Sequence, residues 1–530
     1  MRHACLPHPM LAPSPAPIQG KPLGLATAHT TTLVGLDAHP IRVEVCSTRG
    51  PAFFQMVGLA GSTVREARVR VASSLARLGI LLDEHAITVN LAPAELRKNG
   101  GALDLAIAAG VLGAMGRLDP AALEGTVLLG ELSLDGRLQP TRGVLPQLEG
   151  SRARGFRRAI VPSGNAAEAG LAQAMEVFMA NDLEAVVRHC DGRGELARVR
   201  PTRFTPHLET SGLDLSAVRG QAGPRRAVEI AAAGNHNLLM VGPPGGGKTL
   251  LARTLPTLLP PLTFDEAIEA TAIHSVVGLV DPDLGIVNVR PFRAPHHSVS
   301  DAGLIGGGDV PRPGEVSLAH HGVLFLDELA EFRRSTLEAL RQPLEDGRVC
   351  IARARARAWF PAAPLVVGAV NPCPCGYHGH PQIDCRCSAA ERRRYVTRLS
   401  GPLLDRLDVH VFVPPVDVRS LSTSQPGEAS AAVRTRVVAA RERQLERARR
   451  GEATGTTNST LSLSDLERVA PLDGRARSLI ERAVRELGLS ARAYVRVLRV
   501  ARTIADLEGT DRVTEAHVAE AIQGRVIEGR

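Results

Sequence analysis

The chain has 530 residues, 44% apolar and 22% charged, with a formal net charge of +8, a balance that excludes a disordered polymer and supports three or four globular domains. It contains no apolar run long enough to cross a membrane, and its eight cysteines are too few for a disulfide framework in so long a chain. Only three of its 63 basic residues are lysines, so the positive charge points either to a polyanionic partner such as nucleic acid or simply to an arginine-rich composition.

In chain order, residues 1–27 are rich in Pro and Ala and read as a disordered tail; prolines interrupt it where a signal peptide needs an apolar core, so a cytoplasmic chain is expected. Residues 28–190 alternate strand-like runs (Ile41–Val45, Ala86–Leu91, Thr126–Leu129, Ala159–Val161) with helical stretches (Val64–Leu78, Leu103–Leu112, Asn165–Leu171), the pattern of a compact α/β domain. A polar linker is expected over residues 191–211, followed by a second α/β domain over 212–415.

The second domain carries the chemistry. The buried run Asn237–Val241 leads into Gly242-Pro243-Pro244-Gly245-Gly246-Gly247-Lys248-Thr249, and Thr249–Leu258 reads as the helix that leaves it. This is the phosphate-binding loop GxxxxGK[ST]: glycines let backbone N–H groups turn inward, Lys248 supplies a compact charge for the β- and γ-phosphates, and the Thr249 hydroxyl is placed for Mg²⁺. Further on, Gly322–Leu326 is a hydrophobic strand that ends in Asp327 and Glu328, a Walker B arrangement with Asp327 for Mg²⁺ and Glu328 to polarise water. Leu365–Val370 is a third buried strand. It ends in Asn371, which either orients water near a γ-phosphate or begins a turn before Pro372. Arg406 precedes the strand Val409–Val413, as an arginine finger for a neighbouring subunit or as a surface ion pair. Cys373, Cys375, Cys385 and Cys387 form two CxC pairs that suit structural Zn²⁺ or remain reduced thiols. Residues 416–457 hold an arginine-rich helix, Val433–Arg450, and 458–530 reads as helices throughout.

The order of these motifs resembles the AAA+ ATPases, and specifically the competence-protein branch of the magnesium-chelatase-like family. The resemblance is carried by Val218–Gln221, Arg290–His297, Pro313–His320, Asn371–Gly376, Ser400–Arg406, Leu489–Tyr494 and Leu498–Leu507, with Asn90–Ala94 in the first domain. It implies a P-loop parallel-sheet domain with a helical C-terminal lid, ATP and Mg²⁺ as cofactors, Asn371 as sensor 1, Arg406 as a trans-acting finger and Arg492 as sensor 2, with Arg496 as its substitute. It also implies two insertions found in DNA motors, a helix-2 insert over about 271–308 and a pre-sensor-1 hairpin over Gly347–Pro361. In that hairpin Arg353, Arg355 and Arg357 alternate at period two, so a shared face that contacts DNA phosphates is expected, against the alternative of a charged, solvated edge strand.

The first domain resembles the Lon-protease fold, with Gly130–Arg137 as the matching stretch. Ala102 stands at the position of the family's nucleophilic serine and Leu145 at that of its partner lysine, which excludes a Ser–Lys dyad. The family implies a homo-hexameric DNA motor, a helicase or branch-migration enzyme, that acts on single-stranded and branched DNA during recombination in natural transformation. The alternative is a chelatase-type motor subunit or protein remodeller. No membrane partner is expected.

Overall fold

The computed structural model of the chain describes residues 24–98, 100–208, 213–353, 356–415 and 427–525. Residues 1–23 of the expected tail, Cys5 and Arg355 lie outside the described residues. Among the described residues no helix is long and apolar enough to cross a membrane.

Two sheets organise the molecule. The first contains β1 (Gly24–Val34), β2 (Asp37–Arg49), β3 (Phe53–Val57), β4 (His85–Ala92), β5 (Thr126–Leu128), β8 (Arg158–Pro162), β9 (Glu176–Ala180) and β10 (Ala197–Arg198), in the order β10-β9-β8-β5-β1-β2-β4-β3. A separate short ribbon pairs β6 (Glu131–Leu132) with β7 (Leu138–Gln139). Period-two patterning puts Ala26 and Ala28 of β1, Ile41, Val43 and Val45 of β2, and Ile87, Val89 and Leu91 of β4 into one core. The helix Asp104–Ala114 packs there with every residue buried, so it is apolar nearly all round. Its one carboxylate, Asp104, is compensated by the Arg70 guanidinium at 2.6 Å and by the Leu132 N–H.

Two expected boundaries move. The tail is shorter than residues 1–27, because Gly24–Thr27 pair with Glu44–Ser47 as the start of β1, and Ala26 is buried in the core beside Val43 and Val45 despite the Pro-rich approach. The expected linker, described over 191–208, is stitched down: β10 pairs with β9, the Thr202 N–H donates to Gly170 O, and the Phe204 ring lies 5.7 Å from Phe264. Scattered apolar residues, Leu196, Val199 and Phe204, anchor a segment whose average composition is polar.

The second sheet is parallel throughout, with the order β12-β15-β18-β11-β19, from β11 (Leu238–Val241), β12 (Phe292–Arg293), β15 (Val323–Leu326), β18 (Leu365–Val370) and β19 (Val409–Phe412). Two ribbons project from it, β13 (Gly306–Gly307) with β14 (Arg312–Pro313) and β16 (Arg348–Arg353) with β17 (Ala356–Pro361). The strand β12 falls inside the expected helix-2 insert over 271–308, so that span is not one continuous insertion. Two paired residues are too short a run to read as a strand from sequence. Before β12, the helix Phe264–Val277 docks on the first domain, where Ser275 O accepts the Gly143 N–H and Ser275 Oγ donates to Glu168.

The helix Ser430–Arg449, expected as a connector, belongs to the helical body. Val433, Val437 and Ala440 are buried in the core shared with the helices Ala222–Gly234, Lys248–Leu258 and Ala491–Leu507. The last of these helices is locked to the sheet by polar contacts. Asp408, at the foot of β19, accepts the Asn237 N–H at 3.1 Å, pairs with Arg496, and lies 3.6 Å from His236 Nδ1. Burial pushes the Asp408 carboxyl up, but the His236 ring and the Arg496 guanidinium hold it at about 2. Its stabilising contribution is therefore complete above the usual carboxylate range and is lost as the pH falls through about 2. Asp408→Asn is expected to cost about 3 kcal/mol by leaving Arg496 buried without its carboxylate, measured as a lower urea midpoint for the C-terminal transition at pH 7.

Candidate nucleotide site

The loop between β11 and the helix Lys248–Leu258 sits at the carboxyl end of the parallel sheet, between the ends of β18 and β19. Gly245 and Gly247 have φ of 79° and 86°, a left-handed backbone that glycine adopts without strain. Gly242 is needed for a different reason. A Cβ there would lie 2.1 Å from Val413 O, so any larger residue would drive the loop off β19.

Lys248 is buried at the first helical position. Its ammonium donates to Gly242 O at 2.6 Å, Pro243 O at 3.0 Å and Asn371 Oδ1 at 3.1 Å. Burial draws its pKa below the usual lysine value. Beside it, Thr249 Oγ1 donates to Asp327 Oδ2 at 2.9 Å. Strands far apart in sequence thus deliver Lys248, Thr249, Asp327 and Asn371 to one place. The Thr249 and Asp327 oxygens form a hard donor pair suited to Mg²⁺, and the oxygens around Lys248 are acceptors of the kind a phosphate would bring to its ammonium.

Glu328 follows in a left-handed conformation, φ 51°, with its N–H bonded to Asp327 Oδ1. Its carboxylate meets His297, whose Nδ1 is 3.1 Å from Glu328 Oε2. His297 packs on His296, with ring centroids 4.0 Å apart, and its ring edge faces Phe332. Gln221 makes a second contact without an assigned role in the sequence: Nε2 donates to Gly246 O at 3.2 Å and to Pro414 O at 2.7 Å, clasping the loop to the end of β19. Both residues lie in quoted family segments, but only the tertiary fold shows what they touch.

The other expected residues lie elsewhere. Arg406 is buried and donates to Pro402 O at 2.6 Å and to Glu345. It lines an open pocket of about 340 Å³ with Arg492, Arg496, Arg499 and Glu345, so the expected finger and sensor 2 arginines share a pocket separate from Lys248. The four CxC thiols do converge: the Cys373, Cys375 and Cys385 sulfurs are 3.3–3.6 Å apart, and Cys387 completes a set within 4.8 Å. Their loop abuts the phosphate loop, since a Cβ on Gly376 would lie 2.7 Å from Pro244 Cδ.

The shared arginine face of the hairpin does not form. Arg353 pairs with Ala356 and Arg357 with Ala352, which puts Arg353 and Arg357 on opposite faces. Period-two alternation holds along one strand, and the chain reverses between these residues.

Matches to family models cover most of the chain: "Magnesium chelatase, subunit ChlI" over residues 214–421, "Subunit ChlI of Mg-chelatase" over 43–165, and "Magnesium chelatase, subunit ChlI C-terminal" over 427–525. The competence protein ComM of Haemophilus influenzae is 43% identical over 511 residues, 95% of this chain and 98% of that protein. YifB of Escherichia coli is 42% identical over 508 residues, 96% of this chain and 98% of that protein. The chain belongs to the ComM/YifB family of magnesium-chelatase-like proteins. This is a family of AAA+ type, in keeping with the parallel sheet and the helical C-terminal body. Lon protease 2 of Bacillus subtilis is similar over a shorter stretch, 30% identical over 143 residues, 24% of this chain and 25% of that protein. Ala102 stands where the Lon resemblance leads one to expect a nucleophile. Lys98 is fully buried, its ammonium bonded to Pro93 O, and Leu145 offers only its N–H, to Glu168.

Proposed function

We propose that this chain is an ATP-hydrolysing hexameric DNA motor with a ComM-like role in competence, which unwinds or branch-migrates DNA during recombination. The observation that carries the reading is the convergence of Lys248, Thr249, Asp327 and Asn371 at the carboxyl end of the sheet, with Glu328 alongside. When bound, Mg²⁺ supplies charge neutralisation on the β- and γ-phosphate oxygens. Lys248 holds those phosphates, Thr249 and Asp327 hold the metal and its water shell, and Asn371 orients the attacking water. Glu328 accepts that water's proton, and His297, 3.1 Å away, orients its carboxylate. Arg406 is the finger that acts on the nucleotide of the adjacent subunit, which makes a ring the active unit, and Arg492 in the same pocket is the sensor 2 arginine. The first domain is a Lon-like fold without its nucleophile, and the basic hairpin β16–β17 faces the DNA.

Zn²⁺ held by Cys373, Cys375, Cys385 and Cys387 is part of this reading. Tetrahedral Zn–S bonds of about 2.3 Å separate the sulfurs by about 3.8 Å, close to the spacing of these thiols. Such a knot stiffens a loop that touches Pro244 and follows Asn371 directly. The purified chain is expected to hold one zinc per protomer by mass spectrometry of the metal, and Cys373→Ser with Cys385→Ser to lose it along with tight ATP binding.

For hydrolysis, Lys248→Ala is expected to abolish ATP binding in a fluorescent-nucleotide titration. Glu328→Gln keeps affinity but drops turnover by about 10²-fold or more, the usual scale for losing a general base. Equal ATP affinity in Lys248→Ala and the wild type would sink the site. For assembly, mixtures of Arg406→Ala and Glu328→Gln subunits are expected to regain turnover at interfaces that pair an intact Glu328 with an intact Arg406. Activities that merely add would place Arg406 outside catalysis.

A further inference from the structure

Trp359 is the chain's single tryptophan, and the register of the hairpin decides its surroundings. Directly opposed residues share a face of a ribbon. Val349 with Phe360 and Ile351 with Ala358 form one face, all four buried. The turn between β1 and β2 closes that face: a Cβ on Gly35 would lie 2.8 Å from Ala358 Cβ, and Val34 and Leu36 pack into the same cluster. The first domain therefore backs the hairpin and leaves only its other face free.

The free face carries Arg348, Cys350, Arg357 and Trp359. The indole is half-buried, with the guanidinium carbon of Arg348 4.4 Å and that of Arg357 5.0 Å from its ring centroid. Arg357 Nε also donates to Cys350 Sγ at 3.2 Å. Among the described residues neither arginine has a carboxylate partner, so the charge of both is uncompensated on this face. A guanidinium stacked on an indole is already oriented, so it loses less freedom when it meets a phosphate than a free arginine does. Arg353 stands on the opposite face, near Gly307 of the neighbouring ribbon.

We propose that the Arg348–Trp359–Arg357 ladder is a contact site for single-stranded nucleic acid, in which the two guanidiniums bind backbone phosphates and the indole holds them in place. The proposal rests on the DNA-motor reading above and names the residues that do the gripping. A single strand fits better than an acidic protein surface: its phosphates match the planar fork of each guanidinium, and its unpaired bases bring flat apolar faces to the same spot as the indole. A duplex shields those faces in its stack.

The sole tryptophan makes the test direct. Full-length protein with a non-hydrolysable ATP analogue is titrated with dye-labelled oligo(dT), and dye anisotropy and Trp359 emission are read together. The emission is expected to change along the same isotherm as the anisotropy. Arg348→Ala with Arg357→Ala should lower the slope of log affinity against log salt by about 1.4, two phosphate contacts at about 0.7 each on a single strand. Trp359→Ala should weaken binding about threefold, the scale of exposed cation–π contacts, whereas Arg353→Ala should leave both readouts as in the wild type. Circular dichroism melts confirm that the variants fold. Normal anisotropy titrations with silent Trp359 emission and an unchanged salt slope in the double variant would overturn the ladder and leave the motor reading standing. Polyglutamate that reproduced the emission change while oligo(dT) did not would replace the nucleic acid with a protein partner. No binding of any oligonucleotide by the wild type would remove the DNA reading and the ladder together.

Discussion

A lysine ammonium buried without a carboxylate in contact is the constraint on which the second domain depends. Lys248 is held by two loop carbonyls and by the amide oxygen of Asn371, and burial draws down its pKa. Removing those oxygens would leave an unpaired charge in a low-dielectric site, which no fold of marginal stability tolerates. The loop must therefore curl over the helix N-terminus, and β18 must end beside β11 so that Asn371 arrives. Gly242 lets β19 close against the same loop, and Gln221 clasps it from the other side. Phosphate oxygens bring the same chemistry as the oxygens already present, so a bound nucleotide replaces contacts the fold has prepared.

The route from that site to the hairpin is short. β17 ends at Pro361 and β18 begins at Leu365, so three residues separate the hairpin from the strand that carries Asn371 at its far end. One of the three, Ala363, donates its N–H to His320 Nδ1, and His320 stands just before β15, the strand that delivers Asp327 and Glu328. Both acid and sensor strands are therefore tied to the root of the hairpin. On the hairpin's buried side the first domain supplies the turn around Gly35, and the helix Phe264–Val277 anchors that domain a second time. A shift of β18 on hydrolysis would be passed to a ribbon that is braced from behind, which is what pushing on a strand of nucleic acid requires.

Much of this was legible in the sequence because the chemistry sits on contiguous residues. The glycine loop, the acid pair after Val323–Leu326, Asn371 after Leu365–Val370 and the four clustered cysteines each lie on one segment, and the fold only had to bring those segments together. Strand and helix positions also followed from apolar periodicity, as in β4 and in the helix Lys248–Leu258. What stayed hidden depends on distant partners. His297 against Glu328 and Gln221 against Pro414 are contacts that no spacing rule encodes. The two-residue strand β12 is defined by pairing with β15 rather than by its own pattern. Period-two alternation does not put the hairpin arginines on one face, because a turn interrupts it, and the stacking of Trp359 between Arg348 and Arg357 depends on a register that no single segment encodes.

The role proposed for the site built around Lys248 is to hydrolyse ATP in order to act on DNA. The most direct measurement is the steady-state ATPase rate of the purified full-length protein, alone and with saturating single-stranded or forked DNA. A low basal rate that rises several-fold with either DNA, and more with the fork, is expected. A rate that is measurable but indifferent to both DNAs would contradict the coupling.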